Sequence, residues 1–303
     1  MKNRTTLLSH FLMILTVLFW GNAFVGIKIA LRDMTPLELT VLRFFLASLF
    51  FLIAVLLNFR RLPFPEKREF LRLVLLGLLG GVIYHVFLNF GEQYIPAGTA
   101  SLIIGSSPIF TAILASVFLK EKLNITGISG VIVAFLGLFL VSWKGSGEEL
   151  GVGSILGLLA VLGSSFSWAL YPIFAKGIVS QKGSLFVSAY LQFFAFLILI
   201  PFSLKSFERI GSFSITSWIA VFFLAFFCTF LGYIFYNRAL GSLGATVSST
   251  YIYLVPVVAL IFSWILLGES LNFLGVVGAL LVILGVFLVN FGLKKASNSK
   301  REL

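Results

Sequence analysis

Apolar residues occupy most of the chain in long uninterrupted stretches, and charged residues collect in the short segments between them. Most of these stretches approach or exceed the roughly 20 residues that a helix needs to cross the hydrocarbon core of a bilayer. Because that core offers no water to backbone groups, each stretch is predicted to be a transmembrane helix. The ten predicted spans are Leu7–Ile27, Leu37–Leu57, Leu73–Phe90, Ala97–Leu119, Leu123–Trp143, Val152–Ala175, Ser184–Leu204, Phe213–Asn237, Leu240–Gly268 and Leu271–Leu293.

The composition excludes the soluble classes of protein. Hydrophobic residues make up 59% of the 303 residues, and charged residues only 11%, whereas a soluble domain is about 25% charged. The net charge of +11 is therefore not read as a nucleic-acid-binding signal. One Cys excludes a disulfide framework and a Cys-based metal site. We expect an all-α polytopic membrane protein without metal or cofactor, whose partners are the lipid bilayer and a small-molecule substrate.

Lys and Arg are unevenly divided between the two sides of the predicted membrane domain. With a cytoplasmic N-terminus, sixteen of the 22 lie in cytoplasmic segments and four, Arg32, Lys144, Lys205 and Arg209, in outer loops. The positive-inside rule then places both termini in the cytoplasm, as in a multi-pass protein of the cell (inner) membrane. The basic start resembles a signal peptide, but no small-residue cleavage site follows, so the first span is predicted to stay uncleaved.

The two halves of the chain repeat each other at a constant offset of 148 residues. Trp20 matches Trp168, Asn89 matches Asn237, and residues 97–141 share 16 identities in 45 positions with residues 245–289. The repeats are predicted to be residues 1–146 and 147–303, within one membrane domain. Each contains five spans, an odd number, so the second repeat enters the membrane in the opposite sense. Such inverted 5+5 repeats are typical of secondary transporters that work by alternating access.

Several motifs resemble those of the drug/metabolite transporter superfamily, in its ten-helix metabolite-exporter (EamA-type) branch. They are LFWGNAFVGIK at 18–28, LRFFLA at 42–47, YIPAGTASLI at 94–103, KEKLN at 120–124, ALGSLGATVSS at 239–249 and GESLN at 268–272. The resemblance covers essentially the whole chain. It implies a central cavity lined by spans 1, 3, 4, 6, 8 and 9, with spans 5 and 10 at the periphery. It also implies export of amino acids or similar compounds.

Polar and aromatic side chains cluster on the spans that the resemblance assigns to the cavity. His85 and Asn89 lie four apart on one helix face, and the offset gives Tyr233 and Asn237 at the same spacing. Polar groups are costly against lipid, so they are expected to face the bundle interior or a cavity. The predicted cavity residues are Trp20, Asn22, Tyr84, His85, Asn89, Ser101, Trp168, Tyr171, Tyr233, Asn237, Ser249 and Tyr253; Pro108 and Pro256 are the predicted gating hinges.

Other roles stay open for several of these residues. The polar set could form interhelical hydrogen bonds, the Trp residues could belong to an interfacial belt, and His85 could be a proton relay or a neutral wall group. Arg43 is expected to reach toward the outer interface with Glu38 as a possible partner, rather than to bind an anion. Glu121 and Glu269 are expected to face the N-termini of spans 5 and 10. Repeated glycines favour close helix packing within the monomer, and a homodimer is the alternative.

No motif for enzymatic chemistry is present: there is no H-E-x-x-H, G-x-S-x-G or Walker A sequence, so no enzyme is expected. The leading hypothesis is a secondary transporter, and an exporter, of small neutral or zwitterionic metabolites such as amino acids. The alternatives are a nucleotide-sugar or phosphate-ester carrier and a non-transporting membrane sensor or enzyme. Because the cavity spans contain no acidic residue in their interiors, facilitated diffusion is favoured over proton antiport.

Overall fold

A computed structural model describes residues 2–57, 63–107, 109–111, 114, 125–140, 152–270 and 273–299. For residues 2–6, 204–205, 244–247, 249–250, 286 and 289–299 it describes the backbone alone. The described part of the chain is helical and contains no strand. This agrees with the all-α architecture that the apolar pattern predicts.

The first repeat contributes six described helices. They are α1 (Lys2–Ala30), α2 (Pro36–Leu57), α3 (Lys67–Leu76), α4 (Tyr84–Glu92), α5 (Ala97–Gly105) and α6 (Ile125–Leu140). A π-helical segment, Gly77–Ile83, joins α3 to α4, so that both belong to one apolar span of 26 residues. Pro108 and Glu121 lie outside the described residues.

The second repeat follows the same order. Its helices are α7 (Val152–Lys182), α8 (Ser184–Leu199), α9 (Ser203–Glu208), α10 (Ile215–Phe223), α11 (Gly232–Ile252), α12 (Val255–Leu267) and α13 (Phe273–Ser299). A second π-helical segment, Leu224–Leu231, joins α10 to α11. With the offset of 148, the two π-helical segments occupy equivalent places in the repeats.

Contacts along α11 show that it is not a straight helix. Its residues Tyr233 and Ile252 line the same cavity, although a straight helix would separate their Cα atoms by about 28 Å. Adjacent residues near the start of α1 also touch distant parts of α11: Ser9 contacts Ser242 and His10 contacts Tyr251. These contacts indicate that α11, which contains the end of predicted span 8 and the start of predicted span 9, bends between them.

Helices α6 and α13 pack mainly against each other. Two pairs of glycines make this close approach possible. A Cβ at Gly137 would lie 2.6 Å from the Gly278 carbonyl oxygen, and a Cβ at Gly285 would lie 2.6 Å from the Gly130 carbonyl oxygen. These contacts are reciprocal under the repeat offset. The glycine repeat thus serves packing within the monomer at this seam.

The outer surface of the bundle is apolar. Leu57, Ile215 and Trp264 are among many large hydrophobic side chains that stay exposed. Such continuous apolar exposure marks a surface that meets lipid. Within the described residues, six helices are long and apolar enough to cross a membrane, and three shorter apolar helices accompany them. The chain is a multi-pass membrane protein.

Candidate functional site

A cavity of about 30 Å³ lies among seven helices from both repeats. It is much smaller than the roughly 300–1,000 Å³ of small-molecule sites. Most of its lining side chains are almost fully buried, so a solute would enter only when the helices move. The lining residues are Trp20, Ala23, Phe24, Ile27, Arg43, Tyr84, His85, Leu88, Ile104, Trp168, Tyr233, Ile252 and Val255.

The cavity lies on the axis that relates the two repeats. Trp20 meets its own repeat equivalent Trp168, with ring centroids 5.2 Å apart and the rings nearly perpendicular. His85 meets its equivalent Tyr233, with Nε2 3.4 Å from the hydroxyl oxygen. A residue can contact its own symmetry equivalent only beside the symmetry axis. Both repeats therefore contribute to the cavity wall around a common centre.

A cluster of aromatic rings surrounds Trp20 and Trp168 in the cavity wall. Trp168 stacks on Tyr171 with ring centroids 5.0 Å apart and an interplanar angle of 6°. Trp20 and Tyr236 pack against this pair, and the Trp20 indole N–H donates to the Cys228 carbonyl oxygen at 2.9 Å. Flat polarizable faces of this kind can hold an apolar side chain, a ring or an ammonium group.

His85 is a buried wall residue, enclosed by aromatic rings. The Phe44 and Tyr84 rings meet it edge-on, with centroids at 5.1 and 4.7 Å. The Tyr233 hydroxyl donates to the Gly80 carbonyl oxygen at 2.6 Å, which leaves its oxygen free to accept from His85 Nε2. The Nδ1 atom has no hydrogen-bond partner. No carboxylate contacts this ring in the described part of the chain, so the contacts suit a neutral wall group.

Arg43 lies in the cavity wall, which corrects the expectation that it reaches toward the interface and pairs with Glu38. Its side chain is 2% exposed, and its Nε donates to the Thr229 hydroxyl at 2.8 Å. Glu38 is occupied elsewhere: its carboxylate accepts two hydrogen bonds from Arg209, at 2.9 and 3.1 Å. The fold directs Arg43 inward, so span 2 also contributes to the cavity.

Two predicted Asn residues lie in the helix interfaces instead of the cavity wall. Asn89 donates to Thr40 at 2.9 Å, and Asn237 donates to Ser188 at 2.9 Å. Both pairs are 49 residues apart, so the same bond is made once in each repeat. Asn237 also exchanges hydrogen bonds with the Tyr171 hydroxyl. These contacts match the interhelical alternative to a cavity role.

The remaining predicted residues lie in four kinds of position. Tyr84 lies on the cavity wall with Trp20, His85, Trp168 and Tyr233. Asn22 and Ser101 donate to carbonyl oxygens of their own helices, and Tyr253 lies just after α11, outside the lining. The structure describes only the backbone of Ser249.

Pro256 lies in the first turn of α12, directly after a break in the helix at residues 253–254. A proline in that position needs no intrahelical N–H bond, so the helix restarts there instead of bending. Pro256 also packs closely on Gly105 of the other repeat, with its Cγ 2.4 Å from a Cβ placed on that glycine. The predicted hinge is therefore a discontinuity between two helices.

Glu92 is a buried carboxylate that the sequence analysis missed. It lies at the end of α4, is fully buried, and neither carboxylate oxygen has a hydrogen-bond partner. It interacts electrostatically with Lys28, Arg43 and Glu269. This corrects the expectation that no buried carboxylate is available. The predicted span ended at Phe90, so Glu92 was assigned to a loop; the helix continuing to its position was the missing signal.

Glu269 faces a helix N-terminus, but of a different helix from the one expected. Its two carboxylate oxygens accept from the backbone N–H groups of Ala97 and Gly98, at 3.0 and 3.1 Å. These groups begin α5 of the other repeat, where a negative charge is favourable. The carboxylate therefore ties the two repeats together, a contact between segments 172 residues apart.

Both π-helical segments end beside the cavity. Gly77–Ile83 directly precedes Tyr84 and His85, and Leu224–Leu231 directly precedes the turn that carries Tyr233. A π-helical turn changes the direction in which the following side chains point, and such turns are frequent at functional sites. The sequence pattern gave no sign of them, because apolar residues continue through both.

Comparisons with known proteins agree with this architecture. A transporter of Archaeoglobus fulgidus named only "Uncharacterized transporter" is 34% identical over 91% of this chain and 96% of its own. A "Probable terminal-alkyne amino-acid exporter" of Streptantibioticus cattleyicolor is 30% identical, covering 92% of each chain. A "Probable amino-acid metabolite efflux pump" of Salmonella typhimurium is 29% identical, over 94% of this chain and 95% of its own.

A protein of known crystal structure shares the fold, with a TM-score of 0.65 at 16% identity over 92% of this chain and 95% of its own. The model of the EamA-like transporter family matches residues 7–143 and again residues 155–291. The two matches cover one repeat each and agree with the internal offset. The chain belongs to the EamA-like transporter family.

Proposed function

We propose that the protein exports small neutral or zwitterionic metabolites, amino acids foremost, by alternating access around the cavity on the repeat axis. One observation carries the proposal: pseudo-equivalent residues of the two repeats, Trp20 with Trp168 and His85 with Tyr233, meet in the cavity wall. If one repeat rocks against the other, such a site is exposed first to one side and then to the other.

The relatives support the choice of substrate. Two of them are named as an amino-acid exporter and an amino-acid metabolite efflux pump, and nearly the full length of both is aligned. The cavity wall here is aromatic and aliphatic, with a single guanidinium. That chemistry suits a solute with an apolar side chain and one carboxylate.

A nucleotide sugar or phosphate ester fits less well. A phosphate monoester carries about −1.5 to −2 charges at neutral pH, and a nucleotide sugar adds a large polar base and sugar. The cavity lining contains one cationic side chain, Arg43, among the described residues. Most of such a ligand's charge would lose its hydration without compensation.

The excess of Lys and Arg in alternate loops supports a cytoplasmic-membrane location with both termini in the cytoplasm. In this orientation Glu66, Glu69 and Lys182 share the cytoplasmic side, where Lys182 pairs with both glutamates. Cysteines placed at Lys67 and Lys182 of a Cys228→Ser protein should react only from the cytoplasm. A cysteine at Lys144 should react only from outside.

The transport proposal is tested by counterflow in proteoliposomes, with labelled amino acids, sugars and nucleotide sugars as alternative solutes. We expect exchange of neutral amino acids. Trp168→Ala should abolish most of it, because the indole lines the cavity. Trp264→Ala should not, because that side chain lies on the outer apolar surface and is 64% exposed. A preference for nucleotide sugars, or equal activity of both Trp variants at equal yield, would contradict the proposal.

A further inference from the structure

The cavity contains one positive charge whose hydrogen-bonding capacity is only partly used. Arg43 is 2% exposed and lines the cavity. Its Nε is bonded to Thr229, while Nη1 is buried without a hydrogen-bond partner. A buried guanidinium with a free donor is costly, and the cost falls when an anion accepts from it.

The described acidic residues do not neutralise this charge. Glu38 pairs with Arg209, Asp33 accepts from Ser214 and Ser217, and Glu269 accepts from the start of α5. The carboxylate of Glu92 interacts with Arg43 electrostatically, but no carboxylate lies within 4 Å of the guanidinium in the part of the chain that the structure describes. The charge is thus available to a ligand in the cavity.

The guanidinium is held in a defined orientation by Thr229. The Thr229 hydroxyl donates its proton to the Leu224 carbonyl oxygen at 2.9 Å, so its oxygen can only accept from Arg43 Nε. Thr229 lies in the π-helical segment Leu224–Leu231 of the other repeat. The second repeat therefore fixes the side chain that the first repeat supplies, and the planar donor group is preorganised.

We propose that Arg43 binds the carboxylate of the transported solute and that Thr229 is its positioning residue. This assignment rests on the proposed transport function. The carboxylate would accept from the free edge of the guanidinium, in the planar geometry that Arg and carboxylate share. The aromatic rings of Trp20, Trp168 and Tyr233 would then contact the rest of the solute. Arg43 makes the site specific for solutes with one carboxylate.

The first test uses the unmodified protein, so it does not depend on how a variant folds. Labelled leucine is exchanged in counterflow against unlabelled leucine, leucinamide or isoamylamine, which lacks the carboxyl group altogether. Hydrogen bonds to charged groups lead us to expect leucine to compete roughly ten- to hundredfold better than either analogue. Equal competition by leucinamide would overturn the assignment while leaving transport itself established.

Variants then test which residues cause the preference for leucine over leucinamide. Arg43→Gln should bring the leucine-to-leucinamide ratio close to one, and Arg43→Lys should retain part of it through charge alone. Thr229→Val should lower the ratio without reducing uptake of leucinamide, which loss of folded protein could not do. Arg209→Gln, which removes an arginine paired outside the cavity, is the matched control and should keep the ratio.

Two further outcomes are decisive. An unchanged ratio in a folded Arg43→Gln protein would overturn the proposal. A requirement for chloride, without preference between leucine and its amide, would assign the guanidinium to an inorganic anion and also overturn it. If neither compound exchanges but another solute class does, the proposed amino-acid function fails, a result distinct from failure of the Arg43 assignment.

Discussion

The two repeats build the same scaffold and equip it with different chemistry. The first repeat buries Arg43, His85 and Glu92, whose equivalents in the second repeat are Leu191, Tyr233 and Leu240. The second repeat instead supplies aromatic rings, such as Tyr171 and Tyr236, where the first has Ala23 and Leu88. The first repeat provides the buried guanidinium of Arg43. The second provides aromatic rings and the Thr229 hydroxyl, which orients that guanidinium.

The features that both repeats keep are those that hold the fold together. Three features occur once in each half. They are a close glycine contact in the seam between α6 and α13, a hydrogen bond from Asn to a hydroxyl group, and a π-helical segment. Symmetry in packing permits two related conformations of one bundle, whereas a solute with distinct ends needs an asymmetric site. Under the proposed function, the shared packing would allow the repeats to move, and the residues that differ would bind the solute.

The largest effect is expected at the symmetric glycine seam. Gly285→Leu should destabilise the protein by about 1–3 kcal/mol or more, because a Cβ there already lies 2.4 Å from the Ala134 backbone nitrogen. Gly137→Leu should cost a similar amount. The midpoint of thermal unfolding in detergent measures both, with Gly177→Leu, where a Cβ meets nothing within 4 Å, as the control. Clearly unequal losses would show that the seam is not symmetric.

A second experiment addresses Glu92, a buried carboxylate at a position where the second repeat has Leu240. Glu92 is buried without a hydrogen-bond partner and interacts electrostatically with Lys28 and Arg43, so its surroundings should change as the repeats move. Glu92→Gln is expected to reduce pH-gradient-driven uptake to the rate without a gradient while exchange at equal pH continues. Leu240→Gln, at the equivalent position, should leave the gradient effect intact. If uptake by the unmodified protein does not depend on the pH gradient, facilitated diffusion is favoured.

Smaller effects are expected at the paired Asn residues. Asn237→Ala removes bonds to Ser188 and Tyr171, whereas Asn89→Ala removes one to Thr40. Hydrogen bonds between membrane helices contribute about 0.6 kcal/mol on average, so Asn237→Ala should lower thermal stability more than Asn89→Ala. Both variants should retain the solute preference of the unmodified protein. A changed preference would return these residues to the cavity.

The smallest effect is expected at Asp33, in the loop after α1, which accepts hydrogen bonds from Ser214 and Ser217 of the other repeat. Hydrogen bonds from the Ser214 hydroxyl and backbone N–H, and from Ser217, lower the pKa of Asp33 below its usual value of 3.8. Because the folded pKa is the lower one, this contribution to stability is present above pH 3.8 and is lost as pH falls through the folded value. Unfolding midpoints between pH 6 and pH 3 should therefore decline slightly more for the unmodified protein than for Asp33→Asn.

The sequence by itself determined the membrane class, the positions of most spans, the repeat and the family resemblance. Each follows from local composition or from a fixed offset, and needs no knowledge of which side chains meet. The equivalence of Trp20 with Trp168 and of His85 with Tyr233 also followed from the offset, but the contact within each pair did not. Helix ends were less accessible, and Glu92 was missed because α4 continues two residues beyond the apolar run.

Only the tertiary structure decided where the charged side chains point and what they touch. Arg43 points inward and donates to Thr229, while Glu38 pairs with Arg209. Glu269 accepts hydrogen bonds from the start of α5, 172 residues away in the chain. The π-helical segments that orient His85 and Tyr233 arise within apolar runs that look like ordinary helix. Such contacts depend on competition among partners distant in sequence, and hydrophobic periodicity contains no information about that competition.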